Sequence, residues 1–145
     1  MNGIDPEVVR KVRQWLSFGD EDLRLARHAL TLSSGCPYRL LAYHAQQCAE
    51  KHLKALLVFR GIDFPYTHNI SRLLELCDQG DGWAEPLREA EELTPFATAV
   101  RYPGPEEAVT RSEAMRSIEI ASRVREAVRG LLAGQGFPVP AGNAG

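Results

Sequence analysis

The stretch that decides the fold is residues 41–59, which read LAYHAQQCAEKHLKALLVF. Apolar side chains, with one histidine among them, recur in it at steps of three or four residues, the period of one face of an α-helix. This ladder consists of Leu41, Ala45, Cys48, His52, Ala55 and Phe59, and Leu56 and Leu57 widen it. The pattern predicts a long helix over about residues 38–60, and Gly61 suits its C-cap.

The same period recurs on both sides of this helix. It predicts four more helices, over about residues 6–32, 69–77, 83–100 and 111–132. Gly19 weakens the first of them and Pro95 interrupts the fourth, so we expect a bend or break at each position. No run of five or more residues alternates apolar and polar, so no β-strand is predicted. We therefore expect an all-α fold, an up-and-down antiparallel bundle of about five helices.

The length of 145 residues suits one compact domain, and 44% of them are hydrophobic. We assign residues 1–133 to the bundle and residues 134–145, rich in glycine and proline, to a flexible C-terminal tail. The sequence contains no apolar segment suited to a membrane span or a secretory signal, and its three widely spaced cysteines fit reduced thiols. These features predict a cytoplasmic protein that does not bind a membrane.

The net charge of −2 disfavours a strongly basic nucleic-acid module. The charge is nevertheless uneven along the chain. Residues 1–60 have a balance of +3, residues 61–109 of −7 and residues 110–145 of +2. A bundle can place these segments on different faces, so the total permits a local phosphate site.

A polar stripe follows the apolar ladder of the second helix. It consists of His44, Gln47, Lys51 and Lys54, at steps of three, four and three residues. A solvated helix face explains such a stripe in many proteins. The mixture of an imidazole, an amide and two ammonium groups also suits an anion or a nucleotide phosphate, so both interpretations stay open.

The loop that begins at Arg101 is the second candidate for ligand binding. Arg101 can hold a phosphate or a carboxylate with two hydrogen bonds, and Pro103 favours an extended Tyr102. An ordinary turn between helices, with the arginine capping a carbonyl group, is the alternative.

A metal site and a catalytic nucleophile find little support in the sequence. His44, Cys48 and His52 recur every four residues, but Cys48 belongs to the apolar ladder and the helix twist would strain a shared ion. No phosphate-binding glycine motif or serine nucleophile motif occurs. We therefore predict neither a metal nor a cofactor.

Several stretches together resemble the HEPN domain family. The central helix of that family is similar to residues 43–57, YHAQQCAEKHLKALL, and its next loop and helix to residues 61–70, GIDFPYTHNI, followed by Leu73 and Leu74. The Arg-Tyr-Pro loop at 101–103 and the last amphipathic helix also match, so the likeness covers about residues 10–132.

This resemblance implies a small up-and-down helical bundle that forms a homodimer. Many members are encoded beside a minimal nucleotidyltransferase and form a toxin–antitoxin-like or regulatory pair with it, and the family name records a role in nucleotide binding. One large branch consists of metal-independent ribonucleases. Their mark is an arginine, four to six residues and then a histidine, near the start of the last long helix.

The chain departs from that ribonuclease mark, because His68 is its last histidine and none follows Arg101. Arg39 and His44 have the right spacing but lie at the start of the second helix. We therefore predict a non-catalytic homodimer that binds a nucleotide, partners a minimal nucleotidyltransferase, or does both. The ligand-binding residues would be His44, Gln47, Lys51, Lys54, Arg101 and Tyr102. The alternative is a metal-independent ribonuclease toxin that binds RNA and uses Arg39 and His44, with His44 as general acid or base.

Overall fold

The computed structural model describes residues 3–98 and 108–141. Five helical segments follow one another in this part of the chain, and no strand occurs in it, so the all-α prediction is confirmed. The segments are α1 (Pro6–Ala29), α2 (Tyr38–Phe59), α3 (Ile70–Cys77), a 3₁₀ helix (Glu85–Phe96) and α4 (Arg111–Gly134).

Side-chain caps fix where three of the helices begin. Asp5 accepts a hydrogen bond from the backbone of Glu7 at 2.8 Å, and Pro6 follows it at the first helical position. Asn69 caps α3 in the same way. The capping box predicted at the start of α4 is present, since the Thr110 and Glu113 side chains each bond the other's backbone N–H at 3.0 Å.

Two expectations about helix continuity had different outcomes. α1 runs without interruption through Gly19. The fourth helix, predicted over about residues 83–100, is a 3₁₀ helix that begins at Glu85 and ends at Phe96, one residue after Pro95; residues 99 and 100 lie outside the described ranges. Pro86 suits the start of this helix, whereas Pro95 removes a backbone donor inside it and is followed by its end at Phe96.

α2 is the central helix of the bundle. It packs against α1 on one side and α4 on another, and it also contacts α3 and the 3₁₀ helix. Its ladder residues Leu41, Cys48 and Ala55 are fully or almost fully buried. The larger core cluster joins all five segments, and a smaller one joins the C-terminal half of α1 to the N-terminal halves of α2 and α4.

The segment after α4 packs back onto the bundle up to Ala141. Phe137 is only 3% exposed and contacts the ring of Phe59 edge-on, at 5.8 Å between centroids. Arg13 on α1 donates a hydrogen bond to the carbonyl of Pro138 at 3.0 Å. Part of the predicted tail thus lies against the core, and its flexibility stays a prediction. Within the described ranges, no helix has the length and apolar character needed to cross a membrane.

Candidate functional site

Two members of the α2 stripe, His44 and Lys51, meet an acidic residue of α1. Nδ1 of His44 lies 2.8 Å from Oδ1 of Asp22, and Nζ of Lys51 lies 2.6 Å from Oδ2 of the same carboxylate. Asp22 is 8% exposed, so both charge-assisted contacts lie partly out of solvent. The carboxylate of Asp22 therefore neutralises Lys51, one of the two ammonium groups that the sequence suggested for binding a phosphate.

Lys54, the last member of the stripe, belongs to a separate cluster around Glu50. Nζ of Lys54 lies 2.9 Å from Oε2 of Glu50, while Nε2 of Gln46 and Nδ1 of His68 lie 3.0 and 2.8 Å from Oε1. Glu50 and Lys54 are 3% and 5% exposed. Burial disfavours the charge of this carboxylate, but the hydrogen bonds from its three partners outweigh that effect and lower the pKa of Glu50.

Gln47 extends this network rather than facing solvent. Its Nε2 donates to Oε1 of Gln46 at 2.7 Å, and the residue is 9% exposed. The structure thus divides the predicted stripe into a partly exposed pair on Asp22, formed by His44 and Lys51, and a buried network on Glu50. Binding of an anion by these residues stays a prediction.

The alternative pair, Arg39 and His44, does not share one face of α2. Five residues correspond to a rotation of about 140° beyond one full turn of a helix, so the two side chains leave the axis in different directions. Arg39 is exposed in the first turn. His44 lines an apolar cleft of about 110 Å³ between α1 and α2, where Leu25 and Leu40 are among its neighbours.

Arg101 and Tyr102, the remaining predicted binding residues, lie outside the described residues. The role assigned to them stays a prediction. The described part of the chain contains no group of three or more His, Cys, Asp or Glu side chains that could hold a metal.

A second buried ionic cluster joins α1, α2 and α4. Nε of Arg125 lies 2.7 Å from Oδ1 of Asp20, and Arg129 approaches Oδ2 at 3.4 Å. His52 is fully buried, with Nδ1 2.8 Å from the carbonyl oxygen of Cys48 and Nε2 3.4 Å from Asp20. Burial opposes the charge on Asp20, but His52 and Arg125 outweigh it and lower the pKa of Asp20 to about 2.

The thiol of Cys48, which lies beside this second cluster, does not act as a nucleophile. Cys48 is fully buried, and burial raises the pKa of its thiol, so the thiolate nucleophile does not form near neutral pH. Nε2 of His52 is buried and approaches Asp20 only to 3.4 Å, which is too long for a strong hydrogen bond. The cluster therefore holds three helices together rather than presenting a reactive group.

Sequence reasoning missed Asp22 and Glu50, the carboxylates that hold the side chains of the stripe. A signal for Asp22 was present, since residues 20–22 place three acids in the middle of an amphipathic helix, directly before the core residue Leu23. Glu50 could have been found from its spacing, because Gln46 and Lys54 lie four residues to either side on the same helix face. His68 carried no such signal, since its contact with Glu50 depends on how the loop folds.

The fold and these contacts define an all-α domain whose central helix carries a buried polar network. The chain belongs to the HEPN domain family, which matches residues 12–131. The crystal structure of ST0689, an archaeal HEPN homologue, superposes with a TM-score of 0.66 at 30% identity, covering 84% of this chain and 98% of that one. The protein named "Putative toxin MJ1304" of Methanocaldococcus jannaschii is 27% identical over 140 residues, covering 86% of this chain and 90% of the relative.

Proposed function

We propose that this HEPN-domain protein is the toxin-like member of a two-protein pair, and that it acts by docking as a homodimer rather than by catalysis. Its partner would be a minimal nucleotidyltransferase in the cytoplasm. The toxin in the name of the archaeal relative supports the pairing. The observation that carries the docking role is an exposed apolar stripe along α1.

This α1 stripe consists of Phe18, Leu25 and Leu32, which are 44%, 52% and 51% exposed. The side chains recur every seven residues, so the first two project from the same face of α1, and the third follows just beyond its end. Exposed apolar residues that form one line along a helix are typical of a surface that another helix covers.

Self-association of two antiparallel α1 helices fits this stripe. If Leu25 lies on the twofold axis, Phe18 of one copy meets Leu32 of the other, because both are seven residues away from Leu25. The same arrangement brings the exposed Glu21 close to the exposed His28 of the second copy. The stripe can thus pair with a second copy of itself, and Glu21 would then lie within reach of a hydrogen bond from His28 of that copy.

Light scattering on purified protein tests the homodimer. Leu25→Glu should shift the chain to the monomer, because the substitution buries an unpaired carboxylate in the contact. Met115→Glu is the matched control, since Met115 is similarly exposed at 46% but lies on α4. A monomeric wild type, or an equal effect of the two substitutions, would refute the α1 contact.

Nucleotide binding by the pair on Asp22 requires the nucleotide phosphate to displace an internal carboxylate. Asp22→Asn should therefore strengthen binding of ATP or GTP, because it removes the acidic competitor of Lys51 and His44, while Lys51→Met should weaken it. Isothermal titration calorimetry measures both effects, with Arg101→Ala as a test of the predicted loop. Unchanged affinity in all three variants would refute this part of the proposal.

A metal-independent ribonuclease is the second candidate, and the geometry of His44 favours it. Because Nδ1 is used by Asp22 at 2.8 Å, Nε2 is the nitrogen left for proton transfer, as in other aspartate–histidine pairs. Wild type should then cleave a structured RNA in the presence of a chelator, and His44→Ala should abolish cleavage. Intact RNA after incubation with wild type would eliminate this candidate.

A further inference from the structure

The loop between α2 and α3 presents an aromatic side chain to solvent. Tyr66 is 92% exposed, more than any other large apolar side chain in the described ranges. An exposed ring can form a preorganised binding surface only if the loop that carries it is held in place.

Two contacts of His68, two residues after Tyr66, fix the loop to α2. The ring of His68 bonds the buried Glu50 at 2.8 Å, and its carbonyl accepts a hydrogen bond from Gln46 at 3.2 Å. Pro65 restricts the backbone immediately before Tyr66. The buried network of α2 thus preorganises the loop, so a ligand need not supply the cost of ordering it.

The rings of Tyr66 and His68 form a corner. Their centroids lie 5.5 Å apart and their planes are inclined at 72°. Nζ of Lys54, held by Glu50, lies 5.9 Å from the centroid of the Tyr66 ring. The cation interacts with the π-system of that ring and helps to keep it in place.

We propose that Tyr66 and His68 form a stacking site for a nucleobase, supplied by a free nucleotide or by single-stranded RNA. A flat aromatic ligand can stack on one ring and meet the edge of the other, which a corner of two rings permits. Nδ1 of His68 is used by Glu50, so Nε2 is the ring nitrogen that can hydrogen-bond the edge of the base.

The site recognises the base and not the phosphate. The nearby ammonium of Lys54 already has a carboxylate partner in Glu50, and both are buried, so the ion pair offers no free charge to a phosphate. A nucleoside should therefore bind about as well as its monophosphate, and inorganic phosphate should not compete. This property separates the site from the pair on Asp22, for which binding depends on the phosphate.

Quenching of 2-aminopurine fluorescence tests the proposal, with 2-aminopurine riboside as one probe and a short single-stranded RNA containing 2-aminopurine as the other. Tyr66→Ala should weaken binding about tenfold, within the range measured for loss of one base–aromatic stack. Tyr66→Phe retains the ring and should stay within about twofold of wild type. Met115→Ala is the control, since it removes another exposed large side chain, on α4 and outside the proposed homodimer contact.

Tighter binding of the RNA than of the riboside would identify RNA as the source of the base, and equal binding would identify the free nucleotide. No quenching by wild type, equal quenching by wild type and Tyr66→Ala, or displacement by inorganic phosphate would overturn the proposal. Because Tyr66 is almost fully exposed, its substitution leaves the core intact, and circular dichroism checks this. Failure here leaves the homodimer and the ATP test untouched, since neither uses Tyr66.

Discussion

Gly19→Ala should destabilise the protein, although replacing a glycine inside a helix by alanine ordinarily stabilises it by about 1 kcal/mol. A Cβ atom at position 19 would lie 2.7 Å from Nδ1 and 2.8 Å from Cε1 of His52, and 3.3 Å from the carbonyl oxygen of Cys48. The first two distances are shorter than a Cβ atom can tolerate, so either His52 or the contact between α1 and α2 must shift.

His52 has little freedom to move away. Its ring is fully buried, and Nδ1 lies 2.8 Å from the carbonyl oxygen of Cys48. Overpacking of a core costs about 1–3 kcal/mol, and a lost buried hydrogen bond adds about 1 kcal/mol or more. After subtraction of the helix-propensity gain, we expect a net loss of about 2 kcal/mol in the free energy of unfolding.

Thermal unfolding followed by circular dichroism measures this loss as a fall in Tm of about 4–8 °C for a chain of this size. Gly130→Ala is the matched control, because Gly130 lies inside α4 and nothing approaches its Cβ position within 4 Å. That substitution should raise Tm. In a His52→Ala background, Gly19→Ala should lose its destabilising effect. Equal rises in Tm for Gly19→Ala and Gly130→Ala would refute the steric argument.

Three further predictions concern the buried groups. Because the pKa of Asp20 in the folded chain, about 2, is below its ordinary value, its contribution of about 2 kcal/mol is present above pH 4 and is lost as the pH falls towards 2. Asp20→Asn should therefore flatten the acid limb of a stability–pH curve, and an unchanged acid limb would contradict this. At neutral pH the same substitution should lower the free energy of unfolding by about 2–4 kcal/mol, because it leaves Arg125 without its carboxylate. Phe137→Ala should lower the free energy of unfolding by about 2–4 kcal/mol in urea titrations, whereas a change below about 0.5 kcal/mol would show that the tail does not contribute to the core. Glu50→Gln should increase amide hydrogen exchange in the loop that carries His68, because the anchor of that ring loses its charge; unchanged exchange would contradict the role of Glu50.

The helical architecture could be predicted from the sequence because it depends on local signals. The period of the apolar residues and the caps at Asp5 and Thr110 act within a few residues, and the structure agrees with them. The sequence pattern did not specify that the segment before Pro95 is a 3₁₀ helix, since a helical period does not distinguish a 3₁₀ helix from an α-helix.

The arrangement of the polar residues could be predicted only in part. The sequence placed Lys51 and Lys54 on one stripe of α2, but their partners are decided by packing. Lys51 turns to Asp22, which comes from another helix, whereas Lys54 turns to Glu50 and is buried. The position of a residue around a helix axis indicates which way its side chain points but not how far it is buried. Spacing alone therefore could not separate the partly exposed pair from the buried network.

The ionic contacts of α1 have a consequence for how copies of the chain can exchange parts. Asp20 compensates two arginines 105 and 109 residues away on α4, and Asp22 compensates Lys51 on α2. A bundle that lost α1 would leave these cations without their carboxylates, whereas a bundle that received α1 from another copy would recover the same ion pairs. Exchange of α1 between two copies, through an opening of the connection at residues 30–37, would therefore preserve the ion pairs that removal of α1 would break.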